Sequence, residues 1–390
     1  MNTYNRKLSI AFIGTKGLPA KWGGIEKYIE EIGRRLVRRG HAVSVFGSKW
    51  YCADYEKDTY LGMQIHRVPA IHFKATDALT NAFWATIAVS KGNFDIVNFH
   101  GYASYFFAPV VGRTGKITVV TAHGVESGWD NPKYGFLARK IIQQAFRIGL
   151  TRADFVTTVA DHLKVAIKKK FSLDAQVLPS GLDDVEIQPA AIIKQKYNLE
   201  GSDYLLFLGR IDPIKRVDWL LDMASELKEN IKIVIAGGPQ DSTTKTYYHD
   251  LIRKSNHMSD VIFTGAVSGI EKAELLSNCA MFLAPSSYEG LPITLLEAMA
   301  YARCCVASQI PAHSEVVEDG ATGFLFPKND KMALVRLVNR LIAKPKDYIV
   351  SIGDRAKKRA ADKLNWDKTS ILYEQLFWSL FDAKTKSRKN

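Results

Sequence analysis

The chain has 390 residues, of which 47% are apolar and 24% charged, with a formal net charge of +13. That length accommodates two domains with cores of their own, and the composition excludes wholesale disorder. Charge does not choose among nucleic acid, phosphorylated substrate, anionic lipid and plain solvated helix faces, although +9 of the excess falls in residues 1–190.

The opening MNTYNRKLSIAFIG passes from polar residues straight into a short apolar strand. It lacks the apolar core and cleavage site of a signal peptide, and no apolar run approaches the roughly 18 residues of a membrane span. Strands are predicted at Leu8–Ile13, Ala42–Phe46, Ile96–Phe99, Ile117–Thr121 and Phe155–Val159. A second set is predicted at Tyr204–Leu208, Ile231–Ala236, Val261–Phe263, Met281–Ala284 and Cys304–Ala307. Amphipathic helical segments alternate with them, which implies two α/β domains, each a parallel sheet covered on both faces. Between the sets, residues 177–200 carry two prolines, a Ser-Gly pair and an acidic pair, and read as the interdomain linker. At the end, Ile371, Leu372, Leu376, Phe377 and Leu380 form an apolar stripe that predicts a docking helix from Trp366. The division that follows is 1–182, 183–365 and 366–390. Ligands of such sheets bind outside the carboxyl ends of the strands, so the residues after each strand matter most.

The first of these is the glycine-rich loop in FIGTKGLPAKWGGIEKYIE, where Gly23 and Gly24 open a helix. Glycines allow close backbone approach, and a helix start suits phosphate. The spacing matches neither the dinucleotide fingerprint nor the P-loop. His123, in VVTAHG, follows a strand and has the chemistry to donate to a sugar hydroxyl or a phosphate; a structural histidine is the plain alternative. In LFLGRIDPIK, Gly209 ends a strand, and Arg210 and Lys215 follow on one loop. A planar donor fork and a mobile ammonium together suit a diphosphate whose negative charge grows as it leaves.

The strongest signal is SSYEGLPITLLEAMA, with Glu289 and Glu297 eight residues apart. Pro292 suits a first helical turn, and the N–H groups of Gly290, Leu291 and Thr294 then surround a helix N-terminus. Glu297, about two turns in, would accept from a ribose diol, and Glu289 would hold sugar hydroxyls across the phosphates. The four cysteines, at 52, 279, 304 and 305, form no metal-ligand spacing and fit a reducing cytoplasm. Asp183 and Asp184 have no further ligands in a metal pattern, so no metal site is expected. The basic run Leu163–Phe171 lacks the interleaved aromatics of a nucleic-acid module, so no nucleic-acid partner is expected.

Together these motifs resemble the family-4 retaining glycosyltransferases, which have the GT-B fold. The likeness runs over nearly the whole chain in order: the Gly-Gly loop, the histidine after a strand, Leu178-Pro-Ser-Gly-Leu-Asp183, the G-R-x-x-x-x-K segment, Ala236-Gly237-Gly238, the paired glutamates and GATGFLFP. Ser180 stands where the family commonly has asparagine. The resemblance implies two Rossmann-like domains facing across a cleft, an acceptor-side N-terminal domain, a donor-binding C-terminal domain and a last helix that crosses back to the first domain. It implies a nucleotide diphosphate sugar as donor, with Arg210 and Lys215 on the diphosphate, Glu297 on the ribose and Glu289 with residues 290–294 on the transferred sugar. Gly24 and His123 would approach from the other domain. No metal or organic cofactor is implied. The opening GTKGLPAKWGGIEKYIEEI looks like a bacterial subgroup working on cell-surface polysaccharides, with glycan or lipid-linked acceptors. Peripheral attachment to an anionic membrane through Leu137–Leu150 and Leu163–Phe171 is a further expectation. An epimerase on the same scaffold, or a non-catalytic nucleic-acid binder using the +13 charge, are the competing readings.

Overall fold

The structure is a computed structural model that describes residues 6–387 apart from 22, 72–75, 126–135, 183–184, 230 and 240–241. The acidic pair Asp183-Asp184 therefore lies outside the described residues. The chain divides into two compact units, one of Met1–Gly181 with Asn365–Asn390 and one of Leu182–Leu364.

The first unit carries β1 (Ser9–Ile13), β2 (Ala42–Ser48), β3 (Thr59–Tyr60), β4 (Met63–Val68), β5 (Ile96–His100), β6 (Ile117–Ala122), β7 (Phe155–Thr158) and β8 (Gln176–Val177). Its sheet runs β3-β4-β2-β1-β5-β6-β7-β8, parallel except for the short β3–β4 pair. Between the strands lie α1 (Gly24–Arg38), α2 (Thr76–Lys91), α3 (Tyr102–Tyr105), α4 (Ala108–Gly112), α5 (Phe136–Arg152) and α6 (Asp161–Phe171). Every residue of β5 and β6 is buried, as expected of strands covered on both faces.

The second unit holds β9 (Tyr204–Leu208), β10 (Lys232–Ala236), β11 (Val261–Gly265), β12 (Met281–Ala284), β13 (Cys304–Ser308) and β14 (Phe324–Phe326). Its helices are α7 (Ile192–Tyr197), α8 (Asp218–Ala224), α9 (Ser242–Ser255), α10 (Gly269–Asn278), α11 (Ile293–Ala300), α12 (Pro311–Val316), α13 (Lys331–Ile342) and α14 (Lys346–Lys363). The sheet order is β11-β10-β9-β12-β13-β14, the doubly wound arrangement in which strand order reverses between the first and fourth strands. Period-two side-chain alternation splits β9 between two cores. Tyr204, Leu206 and Leu208 pack with Val234 and Leu296 on one face, while Leu205 and Phe207 pack with Ile233 and Leu283 on the other. Each such leucine stabilises the fold by roughly 1.5–3 kcal/mol, which is why these unbroken apolar runs are strands rather than loops.

Two sequence expectations need correction. Residues 177–200 are not all linker: Ile193 and Leu199 are fully buried in the second unit's core, and α7 belongs to that unit. The last helix, α15 (Trp366–Ser387), packs on α1 and β6 of the first unit, but through only the Leu376–Phe377 part of the expected stripe. Ile371 and Leu372 are both 37% exposed, and the buried face is Trp366, Tyr373, Glu374, Leu376, Phe377 and Trp378. Two polar anchors set that rotation. The Tyr373 hydroxyl lies 3.3 Å from that of Tyr28 and 3.2 Å from the Thr121 hydroxyl, while Glu374 pairs with Arg39 and His41.

Candidate functional site

In the second unit the candidate residues gather where the strand order reverses. Arg210 and Lys215 follow β9, and Glu289 follows its neighbour β12. The loops there are stitched together. Ser287 donates its backbone N–H (2.7 Å) and its hydroxyl (3.0 Å) to the Ile214 carbonyl, and Ser308, at the end of β13, donates to the Ser286 carbonyl. The backbone itself is tight here. Gly209 donates to the Ala236 carbonyl at 2.9 Å, and a Cβ on Gly237 (φ +148°) would lie 1.8 Å from the Gly209 oxygen, so only glycine fits.

Lys215 is the last residue of a single 3-10 turn, Pro213–Lys215, that Asp212 opens by accepting from the Ile214 N–H at 3.1 Å. Its ammonium pairs with the Glu289 carboxylate, and both side chains are only 13% exposed. The Ser286 hydroxyl donates to the same Glu289 oxygen at 2.8 Å. Burial pushes the Glu289 carboxyl up, but Lys215, with His313 and Ser286, outweighs burial and holds it below its ordinary value, so it is charged. Arg210 is more open, with its side chain 42% exposed and 3.8 Å from the Asp212 carboxylate.

Gly290 and Leu291 lead to Pro292, which caps α11 from outside the helix (φ −83°, ψ 70°) rather than sitting in its first turn as the sequence suggested. Ile293 and Thr294 are its first two residues, and Glu297 is its fifth, one turn in rather than two. Glu297 Oε1 accepts from Lys272 Nζ of α10 at 2.7 Å. Its other oxygen, Oε2, is buried and has no hydrogen-bond partner among the described residues. A carboxyl oxygen sealed from water without a hydrogen-bond partner is costly, and such an atom in a folded protein calls for a partner that arrives later.

In the first unit the corresponding reversal lies between β1 and β5. Gly23 (φ +104°) caps α1, and Gly23 and Gly24 are both exposed at that helix start. The glycine-rich loop is held by the helix it precedes. Glu26 accepts from the Thr15 hydroxyl (3.1 Å) and the Lys16 N–H (2.9 Å), and Glu30 accepts from the Ala20 N–H (3.0 Å). His123, just past β6, is partly exposed. Its Nε2 lies 2.8 Å from Nδ1 of His100, the last residue of β5, and the Tyr28 ring meets it edge-on at 5.1 Å. Burial pushes the His123 pKa down to about 3 and, with the neighbouring His123, pushes His100 well below its ordinary value.

The structure thus gathers Gly209, Arg210, Lys215, Glu289, Gly290, Leu291, Pro292, Thr294 and Glu297 in one unit, and Gly23, Gly24 and His123 in the other. Sequence reasoning missed Lys272, Glu26, Glu30 and His100. His100 alone left a signal, as a polar residue directly after a predicted strand. Among the described residues, no group of three or more His, Cys, Asp or Glu is arranged to hold a metal ion, and no helix is long and apolar enough to cross a membrane.

Two family models divide the chain between them. One, described as Glycosyltransferase Family 4, matches residues 22–186, and the other, Glycosyl transferases group 1, matches residues 190–359. O-antigen chain mannosyltransferase C of Escherichia coli is 24% identical over 379 residues, spanning 94% of this chain and 97% of that protein. A GDP-mannose-dependent alpha-(1-6)-phosphatidylinositol monomannoside mannosyltransferase of Mycolicibacterium smegmatis is 28% identical over 376 residues, spanning 90% and 94%. Among solved structures, a sucrose-phosphate synthase from Thermosynechococcus elongatus superposes with a TM-score of 0.82 at 20% identity, over 97% of this chain and all of that one.

Proposed function

This chain belongs to the family-4 glycosyltransferases of the GT-B fold, and we propose that it moves a hexosyl or deoxyhexosyl group from a nucleotide diphosphate sugar to a glycan or lipid-linked saccharide, with retention, in bacterial surface polysaccharide synthesis. The buried, partnerless Oε2 of Glu297 carries the donor assignment. A ribose diol supplies the missing donors, and Lys272 holds the carboxylate in place to receive them. Glu297 lies one turn inside α11, so a ribose there puts the diphosphate near that helix's N-terminus, on the side of Arg210 and Lys215. The family relative that depends on GDP-mannose supports a nucleotide sugar in general without fixing the base.

The proposed chemistry breaks the bond between the anomeric carbon and the leaving diphosphate oxygen and forms one to the acceptor hydroxyl on the same face. The acceptor proton passes to the departing phosphate. Arg210, Lys215 and the α11 N-terminus stabilise the charge that grows on that phosphate, so the step is assigned no metal. Glu289, whose Oε1 is taken by Lys215 and Ser286, has Oε2 to offer sugar hydroxyls. Gly24 and His123 complete the assignment as further contacts to phosphate and sugar.

The test is a thermal-shift series with UDP, GDP, dTDP, ADP and their common sugars, on wild type and Glu297→Ala. One nucleotide should raise the melting temperature, and the variant should lose most of that rise. No shift with any nucleotide overturns the donor assignment. Attachment to an anionic membrane from the cytoplasmic side is proposed from α5 and α6, which expose Phe136, Ile141 and Val165 beside Lys140, Lys164 and Lys168–Lys170. At low salt, binding to vesicles with acidic headgroups no stronger than to neutral ones refutes that attachment.

A further inference from the structure

We propose that His100 is a positioning residue that fixes the tautomer of His123, so that His123 always presents an N–H, and never a lone pair, at its outward ring nitrogen. The inference rests on the reading of His123 as a substrate contact for its purpose, but its physical content stands on the pair alone.

The geometry leaves few choices. His123 Nε2 and His100 Nδ1 are 2.8 Å apart, so exactly one proton lies between them. A hydrogen bond needs one donor and one acceptor, and each neutral imidazole carries one N–H. If His123 donated, His100 would carry its other proton position empty at Nδ1 and its N–H at Nε2. That nitrogen is buried and has no hydrogen-bond partner among the described residues. Among backbone groups, orphaned buried N–H donors are rarer than under-used acceptors, and the same asymmetry carried to the ring nitrogens disfavours that tautomer. The favoured arrangement therefore puts the His100 proton on Nδ1, donating to His123 Nε2, and leaves only a lone pair at His100 Nε2. His123 must then carry its own proton on Nδ1. That nitrogen has no partner among the described residues, and His123 is the partly exposed member of the pair.

The surroundings make the arrangement rigid. The His100 ring is wholly buried between Phe12 and Tyr28, at 5.6 and 6.1 Å between ring centres. Its carbonyl accepts from the Ser104 hydroxyl at 2.7 Å, and the backbone of Gly14 presses so close that a Cβ there would lie 1.6 Å from that oxygen. Tyr28, which packs edge-on against His123, is itself held by its hydroxyl, donated to the Leu178 carbonyl at 2.7 Å. The His100 ring is thus packed by two aromatic rings on a backbone fixed at its own carbonyl, with its Nδ1 edge toward His123. The hydrogen bond on one ring nitrogen sets what the other can do, and here it makes His123 a fixed donor suited to an oxygen acceptor such as a sugar hydroxyl or a phosphate. Both rings are held neutral, so the pair adds no charge to that contact.

The experiment is ring-nitrogen NMR on protein labelled with nitrogen-15 histidine, with His123→Gln and His100→Gln used for assignment, beside donor kinetics for wild type, His100→Phe, His123→Ala and the double variant. The expected spectrum shows both rings with the proton on Nδ1, and His123 losing that single form in His100→Phe. A His123 ring protonated on Nε2 in the wild type, or unchanged in His100→Phe, overturns the inference. In kinetics, His100→Phe should lower kcat by roughly 10- to 100-fold, by analogy with the loss of partners that orient metal-ligating histidines. It should cost nothing further in the His123→Ala background. Full turnover in His123→Ala would instead reject the substrate-contact reading of His123 and leave the tautomer result to stand or fall by NMR. Loss in His123→Ala with none in His100→Phe rejects the positioning role alone.

Discussion

Replacing Lys215 with methionine keeps an unbranched stem as far as Cε and removes the ammonium that faces Glu289. Both partners are only 13% exposed, so the carboxylate left behind has little water to replace its partner. Breaking a largely buried pair from one side costs about 3–5 kcal/mol, and the surviving Ser286 hydroxyl at 2.8 Å places this case near about 3 kcal/mol. For a unit of this size that is roughly 6–12 °C in melting temperature. The pH dependence has a definite sign. In the wild type, Glu289 sits below its ordinary 4.5, so the pair's contribution is present above that value and fades as pH falls through the folded value. Without Lys215, burial dominates and Glu289 rises above its ordinary value, so the variant's deficit is full at neutral pH and shrinks as pH falls toward about 4.5. Calorimetry at pH 7.5 and 5 measures both effects. Adding Glu289→Gln removes the stranded charge and should recover stability to within about 1 kcal/mol of wild type, with activity still lost. A single variant as stable as wild type at pH 7.5, or a double variant no better than the single, refutes the reasoning.

Arg210→Ala should lower kcat about 10²- to 10³-fold with little change in melting temperature, since the side chain is 42% exposed and its role is assigned to the leaving phosphate; near-normal turnover would sink the electrostatic account. His123→Gln should flatten acid destabilisation between pH 7 and 5. Burial pushes His123 down to about 3, so its contribution is complete above the unfolded value near 6.5 and is lost as pH falls toward 3, about 2 kcal/mol of it by pH 5. Equal acid slopes in urea titrations of variant and wild type would contradict that. Tyr373→Phe takes the hydroxyl from between Tyr28 and Thr121 and should cost about 1–2 kcal/mol in urea unfolding, while Leu372→Ala, on the exposed side of α15, should cost less than about 0.5 kcal/mol. The opposite ranking would show that α15 docks through Ile371 and Leu372 after all.

The sequence carried the strands best where they are buried on both faces. Tyr204–Leu208 and Met281–Ala284 begin and end as expected, because an unbroken apolar run has nowhere else to go. It hid β4, whose exposed Gln64 and His66 alternate with buried Met63, Ile65 and Val68, so that MQIHRV has no unbroken apolar run of the kind that marks the other strands. It hid the docking face of α15 for a related reason. Hydrophobic periodicity assigns Ile371 and Leu372 to the core, but a buried tyrosine and a buried glutamate with partners at Arg39 and His41 turned the helix. Those partners lie more than 300 residues away in the chain, and no local pattern reports them.

The candidate site divides along the same line. Residues proposed to face a ligand follow strands, so Arg210, Glu289 and His123 are legible from the strand ends. Residues that hold those groups come from neighbouring strands and helices, and their identity depends on sheet order. Lys272 reaches Glu297 across 25 residues because α10 and α11 pack into one core on the same face of the sheet, and His100 reaches His123 across 23 because neighbouring parallel strands bring their carboxyl ends to one edge. Once the order β1-β5-β6 is known, a histidine ending β5 must stand beside one that follows β6. The pairing of His100 with His123 is thus a consequence of topology plus two residue identities. The direction of the proton between them follows from which of the four ring nitrogens is left buried without a partner.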